Sequence, residues 1–240
     1  MAGHSKWAKI KRDKGANDAK RGAIFTRIGN QIAIAARSGT DPAMNPALAL
    51  AIEKAKQANM PNVNVQRAID RVSDKNAAQL EEITYEGMGP GGVGIIIETA
   101  TDNRNRTFPE VRNALSKNGG RMADAGSVMF QFARKGVIVV AATGEDALLT
   151  VLDCGAEDAV DEDGEITVYT DQKDLAKVRT ALVEANLEVK DAELQYIGTS
   201  SIEVSDEETA TKLMKVLDAL DELDDVVNVH TNAEITVDIA

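Results

Sequence analysis

The sequence predicts a multidomain α+β protein. Apolar residues recur at helical spacing between residues 17 and 75, and from residue 80 onward short apolar runs alternate with amphipathic segments. The 240 residues suffice for two or three domains. Charge is strongly partitioned: residues 1–40 hold nine Lys and Arg against two Asp, a net +7, although the whole chain carries −12. The remaining residues therefore form an acidic body, and the cationic end indicates a polyanionic partner, most commonly nucleic acid.

Bulk composition limits the class of protein. Hydrophobic residues make up 43% and charged residues 28%, as in globular proteins. A single cysteine, Cys154, excludes an intramolecular disulfide framework and fits a reducing compartment. No apolar segment follows the charged N-terminus, and no run is long enough to span a membrane. We therefore expect a cytoplasmic protein with no membrane partner.

Residues 1–16 are predicted to be a flexible basic arm, because they are rich in Lys and Gly and show no periodicity. Trp7, the only tryptophan, lies among lysines. It is suited to stack on a base while its neighbours contact phosphates, or else it packs back onto the body. His4 and Ser5 have no acidic residue close in sequence, which argues against a catalytic pair.

Residues 17–75 are predicted to form a three-helix domain. In the first helix Ile24, Ile28 and Ile32 make an apolar stripe, with Lys20, Arg21 and Arg27 expected on the opposite side. The second helix begins after the N-cap Asn45 with Pro46, and it buries Leu48, Ile52 and Ala55. The third carries the apolar residues Val65, Ile69 and Val72.

A glycine-rich segment joins two predicted strands, Ile83–Glu86 and Val93–Thr99. Gly87, Gly89 and Gly92 match G-x-G-x-x-G formally. These glycines lead into a strand, whereas a dinucleotide site needs a helix there. We therefore interpret them as a hairpin turn.

The next helix is predicted to open at Thr107, because Glu110 stands three residues further on as in a capping box. Arg104 and Arg106 precede it, and two arginines at a helix N-terminus suit an anion. An equally good interpretation is a solvated turn in which one arginine pairs with Asp102.

The remaining segments predict two α/β units. Residues 135–198 have the order βαββαβ, which is that of a ferredoxin-like domain. We expect this domain to be inserted into a discontinuous α/β domain of residues 80–132 plus 200–240. Its predicted elements include the strands Ser127–Phe132, Ser201–Val204 and Val226–Thr231.

No catalytic or metal-binding constellation is evident. Acidic residues between Asp153 and Glu165 meet the calcium-loop spacing only in part, so surface charge around a hairpin is the better interpretation. Cys154 fits an apolar helix face, and His230 has no second ligand type near it in sequence. We predict that the protein is not an enzyme and has no cofactor, metal or small-molecule substrate.

Several long motifs resemble the YebC family of bacterial proteins and their mitochondrial translational-activator relatives. They include AGHSKW, DAKRG and IFTRI near the N-terminus, YEGMGPGGVGIIIETATDNRNRT in the middle, and GSVMFQF and LDALDELDDVVNVHTNAEI further on. The resemblance covers essentially the whole chain. It implies a helical first domain and two ferredoxin-like α/β domains around a central cleft.

The family resemblance implies binding to nucleic acid. Members carry the label of transcriptional regulator, and they are also placed on the ribosome, contacting ribosomal RNA and relieving stalls at proline-rich stretches. The sequence departs from the family at Asn62, Ala47 and Ala49, where basic residues are usual, so the arm is the better candidate contact. The candidate nucleic-acid-binding residues are Gly3, His4, Ser5, Lys6, Trp7, Lys9, Lys11, Arg12, Lys14, Lys20, Arg21, Arg27, Arg104 and Arg106.

Three functions remain open from the sequence. The first is a ribosome-associated translation factor that reads RNA with its arm. The second is a DNA-binding transcriptional regulator, for which the third helix offers Gln66, Arg67 and Arg71. The third is a partner-binding protein that holds a basic protein in its acidic cleft. In each case we expect a monomer.

Overall fold

The computed structural model describes residues 18–74 and 78–237, with side chains from residue 22 onward. Within this part the chain divides into two compact units. One unit is Ala133–Ile197, and the other combines the segments before and after it. The arm predicted at residues 1–16 lies outside the described residues.

Three helices form the N-terminal domain. They are α1 (Asp18–Ala35), α2 (Pro46–Gln57) and α3 (Asn62–Asp70), and a short 3₁₀ turn, Ala36–Ser38, follows α1. Their core contains the predicted stripes: Ile28, Ile32, Leu48, Ala55, Val65 and Ile69. Val72 is an exception, because α3 ends at Asp70 and leaves this side chain 39% exposed.

Asn45 joins the first two helices. Its side-chain oxygen accepts a hydrogen bond from the Leu48 amide at 3.1 Å, which confirms the predicted N-cap. Its amide group donates to the carbonyls of Ala35 and Gly39, both at 2.7 Å. One buried side chain therefore satisfies backbone groups at the end of α1 and at the start of α2.

The elements after the helical domain follow in chain order: β1 (Glu81–Met88), β2 (Gly94–Thr101), α4 (Arg104–Lys117), β3 (Arg121–Met122), β4 (Phe132–Val140), α5 (Glu145–Asp153), β5 (Asp158–Glu162), β6 (Glu165–Asp171), α6 (Leu175–Glu184), β7 (Val189–Gly198), β8 (Ile202–Val204), α7 (Glu207–Asp221), β9 (Val226–Thr231) and β10 (Ala233–Ile235).

The central sheet has the strand order β3-β1-β2-β9, and its neighbouring strands are antiparallel. Helices α4 and α7 pack against it through an aliphatic core that includes Ile95, Ile97, Leu115, Leu213 and Leu217. Strand β8 was predicted to join this sheet, but it does not. It pairs in parallel with β10 in a separate two-stranded sheet, so only β9 completes the central layer.

The unit Ala133–Ile197 has the predicted order βαββαβ. Its four strands are arranged β5-β6-β4-β7, which puts the first and third strands in the centre. This is the ferredoxin-like arrangement, and with the helical domain it confirms the predicted α+β class.

Burial raises the pKa of the Tyr169 hydroxyl in this unit to about 12.

The glycine segment is a hairpin connection, as predicted. Gly89 donates its amide to the Val93 carbonyl at 2.7 Å, and Gly91 and Gly92 have positive φ values of 76° and 77°. Such backbone angles favour glycine. The segment leads directly into β2, which confirms that it is not a dinucleotide-binding turn.

The strand predicted at Ser127–Phe132 is wrong. Residues 125–131 form a turn and a 3₁₀ segment, Met129–Gln131, and β4 begins only at Phe132. The cause lies in β1. The Glu86 carboxylate accepts the amides of Gly126, Val128 and Met129 at 2.6, 2.7 and 2.8 Å, so these amides bond to a side chain instead of a neighbouring strand.

The predicted start of α4 is also wrong. The helix begins at Arg104, and Asn103 caps it by accepting the Arg106 amide at 3.2 Å. Thr107 therefore lies inside the first turn, where it is buried, and is not the cap.

Candidate nucleic-acid interface

Most of the predicted interface lies outside the described residues. This holds for the arm and for the side chains of Lys20 and Arg21. The arm residues concerned are Gly3, His4, Ser5, Lys6, Trp7, Lys9, Lys11, Arg12 and Lys14. The structure therefore places three of the candidate side chains, those of Arg27, Arg104 and Arg106.

Arg27 lies against the α/β domain and not on the outer side of α1 as predicted. Its side chain is 12% exposed and pairs with the Asp221 carboxylate at 3.0 Å. Its Nε donates to the Val226 carbonyl at 3.0 Å, and a terminal nitrogen donates to the Asp221 carbonyl. These contacts join α1 to α7 and β9, so Arg27 has a structural role in the described fold.

Two further arginines join the helical domain to the rest of its unit. Arg37 donates to the Leu80 carbonyl just before β1. Arg71, after α3, lies 3.7 Å from the Asp102 carboxylate that follows β2. Cations of this domain are thus used to attach it to the central sheet.

Arg106 binds a buried carboxylate. Its guanidinium contacts Asp225 with nitrogen–oxygen distances of 2.7 to 3.2 Å, and it also reaches Asp102 at 3.2 Å. Hydrogen bonding and attraction to Asp225 raise the pKa of Arg106. Of the two interpretations that the sequence left open for Arg104 and Arg106, this arrangement matches the one in which an arginine of the turn pairs with Asp102.

Asp225 has further partners, which the sequence did not indicate. The hydroxyls of Thr101 and Thr107 donate to it at 3.0 and 2.6 Å. Asp225 as a whole is 6% exposed. It therefore connects the end of β2, the first turn of α4 and the segment before β9, and Arg106 is the cation that balances it.

Arg104 differs from Arg106 because it pairs with neither Asp102 nor Asp225. It is exposed and makes no ion pair with any described residue. It lies close to Tyr85 of β1: burial raises the pKa of the Tyr85 hydroxyl, and the charge of Arg104 partly opposes that shift. Both arginines predicted to bind an anion are exposed, but only Arg106 is engaged by carboxylates of the described residues.

The third helix is less suited to reading DNA than its sequence indicated. Gln66 donates to Asp70 within the helix at 2.8 Å, and Arg71 is directed towards Asp102. Arg67 stays exposed. A groove of about 410 Å³ runs beside α3 and is lined by both polar and apolar side chains, among them Ile52, Asn62 and Gln66.

The other residues considered for chemistry occupy structural positions. Cys154 is the C-cap of α5, and burial raises the pKa of its thiol. His230 is buried in β9 and lies 2.9 Å from the Glu98 carboxylate. Among the described residues there is no group of His, Cys, Asp and Glu that could hold a metal ion. No helix in residues 18–74 and 78–237 is long and apolar enough to cross a membrane.

Together these features define a multidomain α+β protein with an N-terminal helical domain, a split α/β domain and a ferredoxin-like insertion. The family comparison agrees with this architecture. Residues 5–75 match the model of the TACO1/YebC protein N-terminal domain, and residues 80–233 match that of the TACO1/YebC second and third domain. The chain belongs to the TACO1/YebC family.

Related proteins match along nearly the whole chain. A protein of Acidithiobacillus ferrooxidans is 50% identical, and the alignment covers 98% of this chain and 96% of that one. One of Thermobifida fusca is 49% identical over 100% of this chain and 98% of that one. Both carry the name "probable transcriptional regulatory protein". A crystal structure of a conserved hypothetical protein from Aquifex aeolicus is similar with a TM-score of 0.86 at 40% identity, covering 92% of this chain and 93% of that one.

Proposed function

We propose that the protein is a regulator of gene expression that binds nucleic acid through its basic N-terminal arm. The names of its relatives support the general class, since they are called probable transcriptional regulatory proteins. The charge distribution supports the arm as the contact. The residues after position 40 are strongly acidic and would repel phosphate, so binding has to be local.

The observation that carries the proposal is that three arginines of the helical domain are engaged in contacts within the protein. Arg27, Arg37 and Arg71 of the helical domain contact carboxylates or carbonyls of the same unit. The lysines of the arm form the densest cluster of positive charge in the sequence. Trp7 among them adds an aromatic surface for a base.

More specifically, we propose a ribosome-associated translation factor that contacts ribosomal RNA and relieves stalls at proline-rich stretches. A short cationic arm with one aromatic residue suits a confined RNA site, because unstacked bases and irregular backbones can be read by stacking and phosphate contacts. An acidic body suits a position outside that site. The resemblance of the arm and of the segment 85–107 to the family supports the same function.

The alternative is a DNA-binding transcriptional regulator. The names of the relatives favour it, and Arg67 on α3 is exposed. A recognition helix would be expected to present several Arg, Asn or Gln side chains to a groove. On α3, however, Gln66 bonds to Asp70 within the helix.

Co-sedimentation with ribosomes tests the proposal. The full chain and a chain lacking residues 2–16 would be run on sucrose gradients at low and moderate salt. We expect the full chain to travel with ribosomes, less so as salt rises, and the shortened chain to stay at the top. If neither sediments and both shift duplex DNA with sequence preference, the alternative replaces the proposal and α3 becomes the helix to mutate.

A further inference from the structure

Helix α4 exposes an aromatic residue between two arginines. Arg104, Phe108 and Arg112 are spaced four residues apart, so they follow one another along the helix over about 12 Å. The residues that α4 buries are others, namely Thr107, Val111 and Leu115. Phe108 is 41% exposed and does not belong to that buried stripe.

The sheet beneath holds the Phe108 ring in place. Its centroid lies 5.9 Å from that of Tyr85, with the ring planes inclined at 50°. Tyr85 is itself 7% exposed and belongs to the core. Phe108 therefore rests on a fixed aromatic neighbour with one part of its ring and presents the other part to solvent, which lowers the entropy cost of binding a flat partner.

The two flanking arginines are available for a partner. Neither Arg104 nor Arg112 makes an ion pair with a described residue, and both are exposed. Arg106, on the same helix, instead binds Asp225 and Asp102. Helix α4 as a whole carries Arg104, Arg106, Arg112 and Lys117 against Glu110, although residues 41–240 contain twice as many acidic as basic residues.

We propose that Arg104, Phe108 and Arg112 form a second binding surface, which takes single-stranded RNA. A base stacks on the exposed part of Phe108, and the arginines contact the flanking phosphates. Stacking on an aromatic ring between cations is the usual way in which proteins hold single strands without reading a fixed sequence. The inference rests on the proposed function, because it takes RNA as the partner, but it concerns residues far in sequence from the arm.

Binding of a short fluorescein-labelled single-stranded RNA, followed by anisotropy over a range of salt, tests the surface. Phe108→Leu keeps an apolar side chain on Tyr85 but removes the ring, and we expect affinity to fall roughly 5- to 150-fold. In the double variant Arg104→Ala with Arg112→Ala we expect the slope of log K against log salt to decrease by about 1.4. The control is Lys173→Ala with Lys177→Ala, which removes two exposed cations of the other unit and should leave both quantities unchanged.

Crosslinking identifies the contact directly. The same RNA would carry 4-thiouridine, so that irradiation crosslinks it to the protein. After digestion with trypsin, we expect the nucleotide to be found on the peptide of residues 107–112, which contains Phe108. If Phe108→Leu lowers the melting temperature, the double arginine variant still tests the surface. Arg104 and Arg112 make no ion pair with a described residue, so we expect their removal to leave the fold intact.

The outcomes separate the two proposals. If the intact chain binds the RNA, the chain lacking residues 2–16 does not, and the α4 variants bind like the intact chain, the inference on α4 is overturned and the proposed function stands. If the intact chain does not bind RNA at all, both fail. If the crosslink lies on other peptides only, the surface on α4 is again overturned.

Discussion

At the residue scale, Asp225 is the group on which the first turn of α4 depends. Its carboxylate is buried and accepts hydrogen bonds from Thr101, Thr107 and Arg106. Removing it would take away the acceptor that Thr101, Thr107 and Arg106 share, although Arg106 would keep its contact with Asp102 and Thr107 its bond to the Asn103 carbonyl. A buried donor that loses its partner costs more free energy than the bond contributed.

We therefore predict that Asp225→Ala lowers the free energy of unfolding by about 3 kcal/mol. Urea denaturation would measure it. Asp224→Ala is the matched control, because that neighbouring aspartate is exposed and should change stability by less than about 0.5 kcal/mol. Equal effects of the two substitutions would contradict the role given to Asp225.

Glu86 makes stability depend on pH. Burial raises the pKa of its carboxyl, but hydrogen bonds from Gly126, Val128 and Met129 outweigh burial, and the net pKa lies below the usual 4.5. Because the folded-state pKa is lowered, the stabilisation is complete above 4.5 and is lost as the pH falls through the folded-state value.

For Glu86→Gln we predict a loss of about 1–3 kcal/mol in the free energy of unfolding at neutral pH, since an amide cannot accept all three backbone bonds. The difference from the unmodified chain should shrink as the pH falls below about 4.5. Urea titrations at neutral and acidic pH check this. Glu82→Gln, at an exposed position of the same strand, should show no such trend. If the difference in the free energy of unfolding between Glu86→Gln and the unmodified chain were constant with pH, the role given to the Glu86 carboxylate would be contradicted.

At the element scale, Asn45 caps α2 and also binds the end of α1. We predict that Asn45→Ala lowers the free energy of unfolding by about 2 kcal/mol, at the upper end for an N-cap, because two carbonyls lose their donor as well. Asp206, which accepts the Thr209 amide at the start of α7 and bonds to no second helix among the described residues, is the comparison. Asp206→Ala should cost less, and a larger loss there would show that Asn45 acts as a simple cap.

Helix α1 is attached to the central sheet by Arg27. We predict that Arg27→Ala lowers the free energy of unfolding by about 2 kcal/mol, because bonds from a charged group to Val226 and Asp221 are lost. RNA affinity should stay within about twofold. Arg67→Ala, an exposed position on α3, should leave stability unchanged. If Arg27→Ala weakens RNA binding without lowering stability, Arg27 belongs to the interface after all.

Local signals predicted most elements, and long-range contacts explain the rest. Apolar periodicity and the Asn45–Pro46 pair located the helical domain, because these cues act within a few residues. The segment 127–131 was predicted to be a strand because its local pattern is apolar. The Glu86 carboxylate that binds its amides lies some forty positions earlier in the sequence, so no local pattern shows this contact. The strands β3 and β10 are too short to leave a periodic signal.

The candidate site was predicted only in part. Charge clustering indicated the arm directly, because it is visible in composition alone. The different fates of Arg104 and Arg106 could not be seen, since Asp225 joins Arg106 across 119 positions. Phe108 was missed although a signal existed: it falls outside the stripe of Thr107, Val111 and Leu115 that α4 buries.

At the scale of the whole molecule, positive charge is concentrated near the N-terminus and the rest of the sequence is acidic. The arm carries the cations proposed for nucleic acid, whereas Arg27 and Arg71 of the helical domain hold that domain on the sheet. Such a division predicts binding that depends on the arm and weakens with salt, without loss of the fold when the arm is altered.

The most direct test is to recover the nucleic acid that the protein contacts in living cells. Cells would express the chain or a variant with Lys6, Trp7 and Lys9 changed to Ala, and ultraviolet crosslinking, capture and sequencing would follow. We predict that ribosomal RNA dominates the recovered material from the unmodified chain and is lost with the variant, while both melt cooperatively at the same temperature. Recovery of promoter DNA at the same level with both chains would contradict the central claim.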